Sequence, residues 1–217
     1  MIFVYVETNF ILEMAFSQEQ VDSCESILSL CESGKAKLII PSFSIGECFE
    51  ALVRKAKARK ELASKISQEL RQISRSGSYR EEVSTTQGIT ALLVRSSEED
   101  ERRLDVALRR ILSVAEIIPL DASVIAAAER SRRTYTLGHQ DSVVYGSVVA
   151  HLRAYPSENS CFLNRNSRDF DDPDIEATLN ASNCRMLFRF DKGFEYLSNI
   201  TNSCYADRKV RDLTRIK

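Results

Sequence analysis

Glu7, Glu47, Asp141 and Asp169 are scattered over a 217-residue chain, yet each ends a strand-like stretch, follows one closely or opens a helix. Carboxylates brought together repel unless a cation neutralises them. Four hard oxygen donors of that kind suit Mg2+ or Mn2+. Taken singly, each acid has a plainer reading. Glu7 stands directly behind the apolar stretch FVYV and could face water on an exposed strand. Glu47 sits among Ile45, Cys48 and Phe49, as a solvated charge or a buried one. Asp141 opens a helix, where an acid favours the dipole, and Asp169 suits a turn. Other chemistry is poorly served. His139, two residues before Asp141, reads as a structural or exposed turn residue, and His151 as a core or surface residue of a helix. The six cysteines form no CxxC pair, and Cys24 and Cys31 lie roughly 10 Å apart along one helix, too far to bridge. They read as reduced thiols of a cytoplasmic protein.

The elements that must position these acids alternate. Residues 2–6 (IFVYV) are apolar on both faces, as in a central parallel strand. Residues 18–33 show helical spacing and stop at Gly34. KLII (37–40) is a second strand, closed by Pro41. A long helix starts at Ser42, apolar early and basic later. From Arg54 to Arg80 there are nine Lys or Arg against two Glu. SRSGSYREEVSTT (74–86) reads as a mobile loop, and 89–114 as a second long amphipathic helix. EIIP (116–119) is a third strand, and Asp121 caps the next helix. SCFL (160–163) is a fourth strand, running into polar NRNSRDFDDPD, and CRMLFRF (184–190) a fifth. Residues 198–217 are polar and basic with little core pattern.

This alternation predicts a three-layer α/β/α architecture around a mostly parallel sheet of four to five strands. A single domain would span 1–197, with a helical elaboration at about 54–114 and a basic tail at 198–217. Ligand sites in such sheets lie beyond the carboxyl ends of the strands, where all four acids fall. A hydrophobic content of 43%, a charged content of 28% and a net charge of −1 describe an ordinary soluble protein, so nucleic-acid binding would need a local patch. Arg54, Lys55, Lys57, Arg59 and Lys60 are the candidates, or else a solvated helix face. The N-terminus resembles neither a signal peptide nor a membrane span.

VYVETNFIL, IIPSFSIGECFEAL, GHQDSVVYGSVVAHL and CFLNRNSRDF, in that order, resemble the four-motif signature of PIN-domain nucleases over residues 1–190. The resemblance implies metal-dependent hydrolysis of single-stranded RNA, or less often DNA, with Mg2+ or Mn2+ held by Glu7, Glu47, Asp141 and Asp169. Thr8 and Asn9 would orient Glu7 or touch the phosphate. Asn166 would bind a metal-bound water or phosphate, or cap its loop. Possible partners are an antitoxin protein, if the chain is the toxin of a toxin–antitoxin pair, and a second copy of the chain. The family's first acid is normally Asp. Glu7 is one methylene longer, which displaces the carboxylate by about a bond length where sites tolerate about 0.5 Å. The alternative is a PIN-like binding scaffold with weakened catalysis.

Overall fold

The computed structural model describes the backbone of residues 1–214 and the side chains of 1–202 except Gln87. Strand β1 (Ile2–Val6) is central because both of its faces are apolar. Val4 and Val6 pack into one core with Phe10, Leu28, Leu38, Ile40 and Phe190. Tyr5 enters a second core with Ile39, Tyr145, Val148, Phe162 and Phe170. Strands β2 (Ala36–Pro41), β3 (Glu116–Ile118), β4 (Ser160–Leu163) and β5 (Cys184–Leu187) complete a parallel five-stranded sheet in the order β3-β2-β1-β4-β5. Consecutive strands lie to one side of β1 up to β3 and to the other side from β4 onward. The order therefore reverses next to β1, at the carboxyl end of which a ligand crevice is expected.

Helices cover both faces, giving the three layers expected. On the first lie α1 (Thr8–Ala15), α2 (Val21–Glu32), α9 (Phe190–Thr214) and the C-terminal part of α4 (Arg80–Val114). On the second lie α6 (His139–Ala154) and α8 (Pro173–Asn180), with α5 (Ala122–Tyr135) packed on α6. Gly34 takes the left-handed conformation (φ 71°) just past α2, as its role as a helix stop requires.

Several elements differ from the sequence reading. Helix α1 begins immediately after Glu7, inside what reads as one apolar run, because the Glu7 side chain itself caps it. The stretch 74–86 is mostly helix. Helix α3 (Ser42–Ile73) ends in a turn with a 3-10 segment at Gly77–Tyr79, and α4 resumes at Arg80. Glu81 and Glu82 favour that N-terminus, and the hydroxyls of Ser84, Thr85 and Thr86 donate to carbonyls three residues back, so no polar group breaks the helix. The acidic stretch after β4 holds α7 (Ser167–Phe170), then α8, capped by Asp172 with Pro173 at its first position. Helix α9 starts at Phe190 and runs through residue 198, where a polar tail is expected. Leu197 and Thr201 are buried there, and the Thr201 hydroxyl is spent on the Leu197 carbonyl. The tail's side chains beyond Asn202, Cys204 among them, lie outside the described residues. No helix among the described residues is long and apolar enough to cross a membrane.

Helix α6 reaches the carboxyl rim only by lying hard against α5. A Cβ on Gly146 would stand 2.8 Å from the Ala128 backbone nitrogen. Gly146→Ala is expected to cost about 1–3 kcal/mol and to lower the thermal midpoint. Gly88→Ala, with nothing within 4 Å of its Cβ position, should instead gain up to about 1 kcal/mol. Calorimetry of the two variants checks the ordering.

Candidate active site at the carboxyl rim

Each acid arrives on a different element. Glu7 follows β1 and is the N-cap of α1, its Oε2 accepting from the Asn9 backbone amide at 2.9 Å. Glu47 projects from the early turns of α3, and its Oε2 accepts from the Thr8 hydroxyl at 2.5 Å. Asp141 lies in the first turn of α6 and Asp169 in α7. Asn166, after β4, donates through one Nδ2 to Asp141 Oδ1 at 3.1 Å and to Asp169 Oδ2 at 2.7 Å. Thr8, Asn9 and Asn166 thus each fix the orientation of a carboxylate, and Asn166 links two of them. Glu7, Thr8, Asn9, Glu47, Asp141 and Asn166 line one cleft of about 470 Å³. Asp169 is exposed beside it rather than lining it.

Electrostatics join the acids into a string. Burial raises the Glu7 carboxyl to about 7. The Asn9 amides and the Arg165 backbone amide oppose that rise, and the Glu47 charge adds to it. Burial likewise raises Glu47, helped by the charge of Asp141 and opposed by the Thr8 hydroxyl. Asp141 is raised by burial and then by Asp169, against the Asn166 hydrogen bond. Like charges in a half-dry cleft push one another toward the protonated form.

A divalent ion fits this place by donor chemistry. The buried Glu7 Oε1 has no hydrogen-bond partner, and the neighbouring donors are carboxylate and amide oxygens, the type that Mg2+ and Mn2+ prefer. Among the described residues, however, no three His, Cys, Asp or Glu side chains are grouped so as to hold a metal ion as they stand. The expected convergence of all four acids on one ion is therefore not what the side chains show. As the side chains stand, Thr8 engages Glu47, and Asn166 joins Asp141 to Asp169.

The basic segment divides in two, because the helical period separates residues that are adjacent in sequence. Arg54 lines the cleft, and Lys57 and Lys60 are exposed. Lys55 instead lies over the Phe16 ring, 3.6 Å from its centroid. Arg59 is bound to Asp100 Oδ2 at 2.6 Å, and the buried Asp100 also takes Arg103 at 2.6 Å. These two contacts tie α3 to its neighbours, to Phe16 after α1 and to Asp100 of α4. The sequence reading missed Glu13, Asn164 and Arg165 in the same cleft. The signal for Glu13 was an acid inside the apolar run FILEMAF. His139 is exposed, and His151 is buried, bonded to Tyr5 and Glu116.

A model of the PIN domain matches residues 4–170, and the chain belongs to the PIN domain family. A solved structure, VapBC2 from Rickettsia felis bound to a DNA fragment from their promoter, matches at 17% identity with a TM-score of 0.43, over 86% of this chain and 98% of that one. No curated protein matches the chain.

In the unfolded chain Glu7 titrates near 4.5, and in the fold near 7. Between those values the folded state keeps a proton that the unfolded state has released, so stability falls as pH rises through the window. The full loss is on the order of 3 kcal/mol. With a chelator present, the thermal midpoint of the wild type should drop from pH 5 to pH 8, and that of Glu7→Gln should drop less. Equal slopes would show that Glu7 is not the buried acid responsible.

Proposed function

We propose that the protein is a metal-dependent endonuclease that hydrolyses single-stranded RNA at the Glu7–Glu47–Asp141–Asp169 carboxylates. The observation that carries this reading is that Glu7, Glu47 and Asp141, from three different elements, line one cleft at the sheet rim, with a buried carboxylate oxygen of Glu7 left unpaired. Glu7, Glu47 and Asp141 would hold Mg2+ or Mn2+, with Asp169 at its outer side. A bound divalent ion supplies Lewis-acid stabilisation of phosphate charge and an acidified water. The protein's own part is to place that charge. Thr8 fixes the Glu47 carboxylate, Asn9 fixes that of Glu7, and Asn166 ties Asp141 to Asp169. Arg54 in the cleft, with Lys57 and Lys60 beyond it on α3, would follow the nucleic-acid backbone.

Residues 1–197 would act as one catalytic unit. The hairpin within 54–114 would add substrate or partner recognition, for an antitoxin protein or a second copy of the chain. Five buried free cysteines suit a reducing cytoplasm. A second reading, a PIN-like scaffold with weakened catalysis, is favoured by two observations: glutamate stands where the resembled motif carries aspartate, and among the described residues the acids are not grouped to hold an ion.

With single-stranded RNA and Mn2+, Asp141→Asn and Glu47→Gln should each lose on the order of a hundredfold or more in cleavage rate. A chelator should abolish cleavage by the wild type. Intact cleavage in either variant removes the site assignment. Mn2+ should also raise the thermal midpoint, and the scaffold reading requires no such rise.

A further inference from the structure

Arg165 is the second residue after β4 and lines the cleft together with Asn164 and Asn166. Its Nη1 pairs with Glu13 Oε2 and lies 3.8 Å from the exposed Glu19. The Glu13 side chain is 1% exposed, and its other oxygen accepts from the Gln20 backbone amide at 2.5 Å. Both oxygens of Glu13 are thereby taken. Of the five donors an arginine carries, only those on Nη1 meet a protein acceptor among the described residues. Asn164, 2% exposed, accepts from the Asn166 amide at 2.7 Å and so fixes the backbone on the far side of the arginine.

A carboxylate buried for an ion pair adds little to stability, because its desolvation offsets the attraction. What such a pair does supply is a locked orientation. The guanidinium is held at one nitrogen, on the wall of a cleft otherwise dominated by carboxylates, with its remaining donors uncommitted. A planar fork of that kind matches the oxygens of a phosphate. We propose that Arg165 contacts a non-bridging phosphate oxygen of a nucleic-acid strand in the cleft, and that the buried Glu13 is the positioning residue that aims it. The inference deepens the nuclease reading above and rests on it for the identity of the strand.

The experiment uses the full chain and a fluorescent single-stranded oligoribonucleotide, first in chelator, with binding measured over a series of salt concentrations. Arg165→Gln should reduce the slope of log K against log salt by about 0.7, the release expected for one phosphate contact on a single strand. Arg133→Gln, a highly exposed arginine on α5, should leave the slope unchanged. Equal slopes in the two variants, or no binding by the wild type, overturn the proposal. In Mn2+, Glu13→Gln should lower kcat about tenfold with KM within about twofold, since aim is lost while charge remains. A lowered thermal midpoint with kcat and KM both unchanged would make Glu13 a fastener of the fold and end its positioning role. Arg165→Lys should keep the salt slope but not the rate, because a point charge cannot serve Glu13 and a phosphate together. If Arg165→Gln fails to fold, Glu13→Gln/Arg165→Gln removes both charges of the pair and carries the slope measurement. If the wild type binds but never cleaves, the nuclease reading fails and the slope still decides the role of Arg165.

Discussion

Burial of carboxylates at the carboxyl rim of a parallel sheet is the constraint on which the candidate site depends. Glu7, Glu47 and Asp141 are drawn into a cleft where each raises the next, and nothing in their own chemistry favours that meeting. The backbone imposes it. A parallel sheet sends the carboxyl ends of all its strands to one edge, and the reversal of strand order beside β1 opens a crevice there. Hydrogen bonds then hold each carboxylate in place: a capped helix for Glu7, a threonine hydroxyl for Glu47, a shared asparagine amide for Asp141 and Asp169. The two apolar cores behind the sheet supply the stability against which this arrangement is maintained.

Much of the scaffold was legible because burial on both faces leaves a strong signature. The runs IFVYV, KLII and SCFL admit few other readings, and all three are strands paired side by side. The position of the acids followed from topology. What stayed hidden was decided by tertiary contacts. Helix α1 could not be separated from β1, since a glutamate cap lacks the familiar signal of Ser, Thr, Asp or Asn. The loop at 74–86 was overcalled because Ser and Thr usually compete with helical hydrogen bonding, and here they satisfy themselves within it.

The site was less legible than the fold. Four acids could be picked out, but their spread could not, because it depends on which hydroxyl or amide reaches each one. The contacts of the basic segment were also hidden. Five cations close in sequence suggested one surface, whereas the period of a helix turns Lys55 and Arg59 inward, onto Phe16 and Asp100. Glu13 and Arg165 are separated by most of the chain, and only the fold makes them neighbours.

Strand β1 finds its second neighbour late. Phe3 pairs with Ser160, so the far edge of β1 is closed only by a strand more than 150 residues away. The hairpin of α3 and α4, by contrast, is built from contacts near in sequence and is the kind of piece that forms early. Asp141 comes to Glu7 and Glu47 on a helix packed against β2 and β3, whereas Asn166 reaches them only across the pairing of β4 with β1. The cleft is thus assembled from pieces far apart in sequence, and no short segment of the chain contains it.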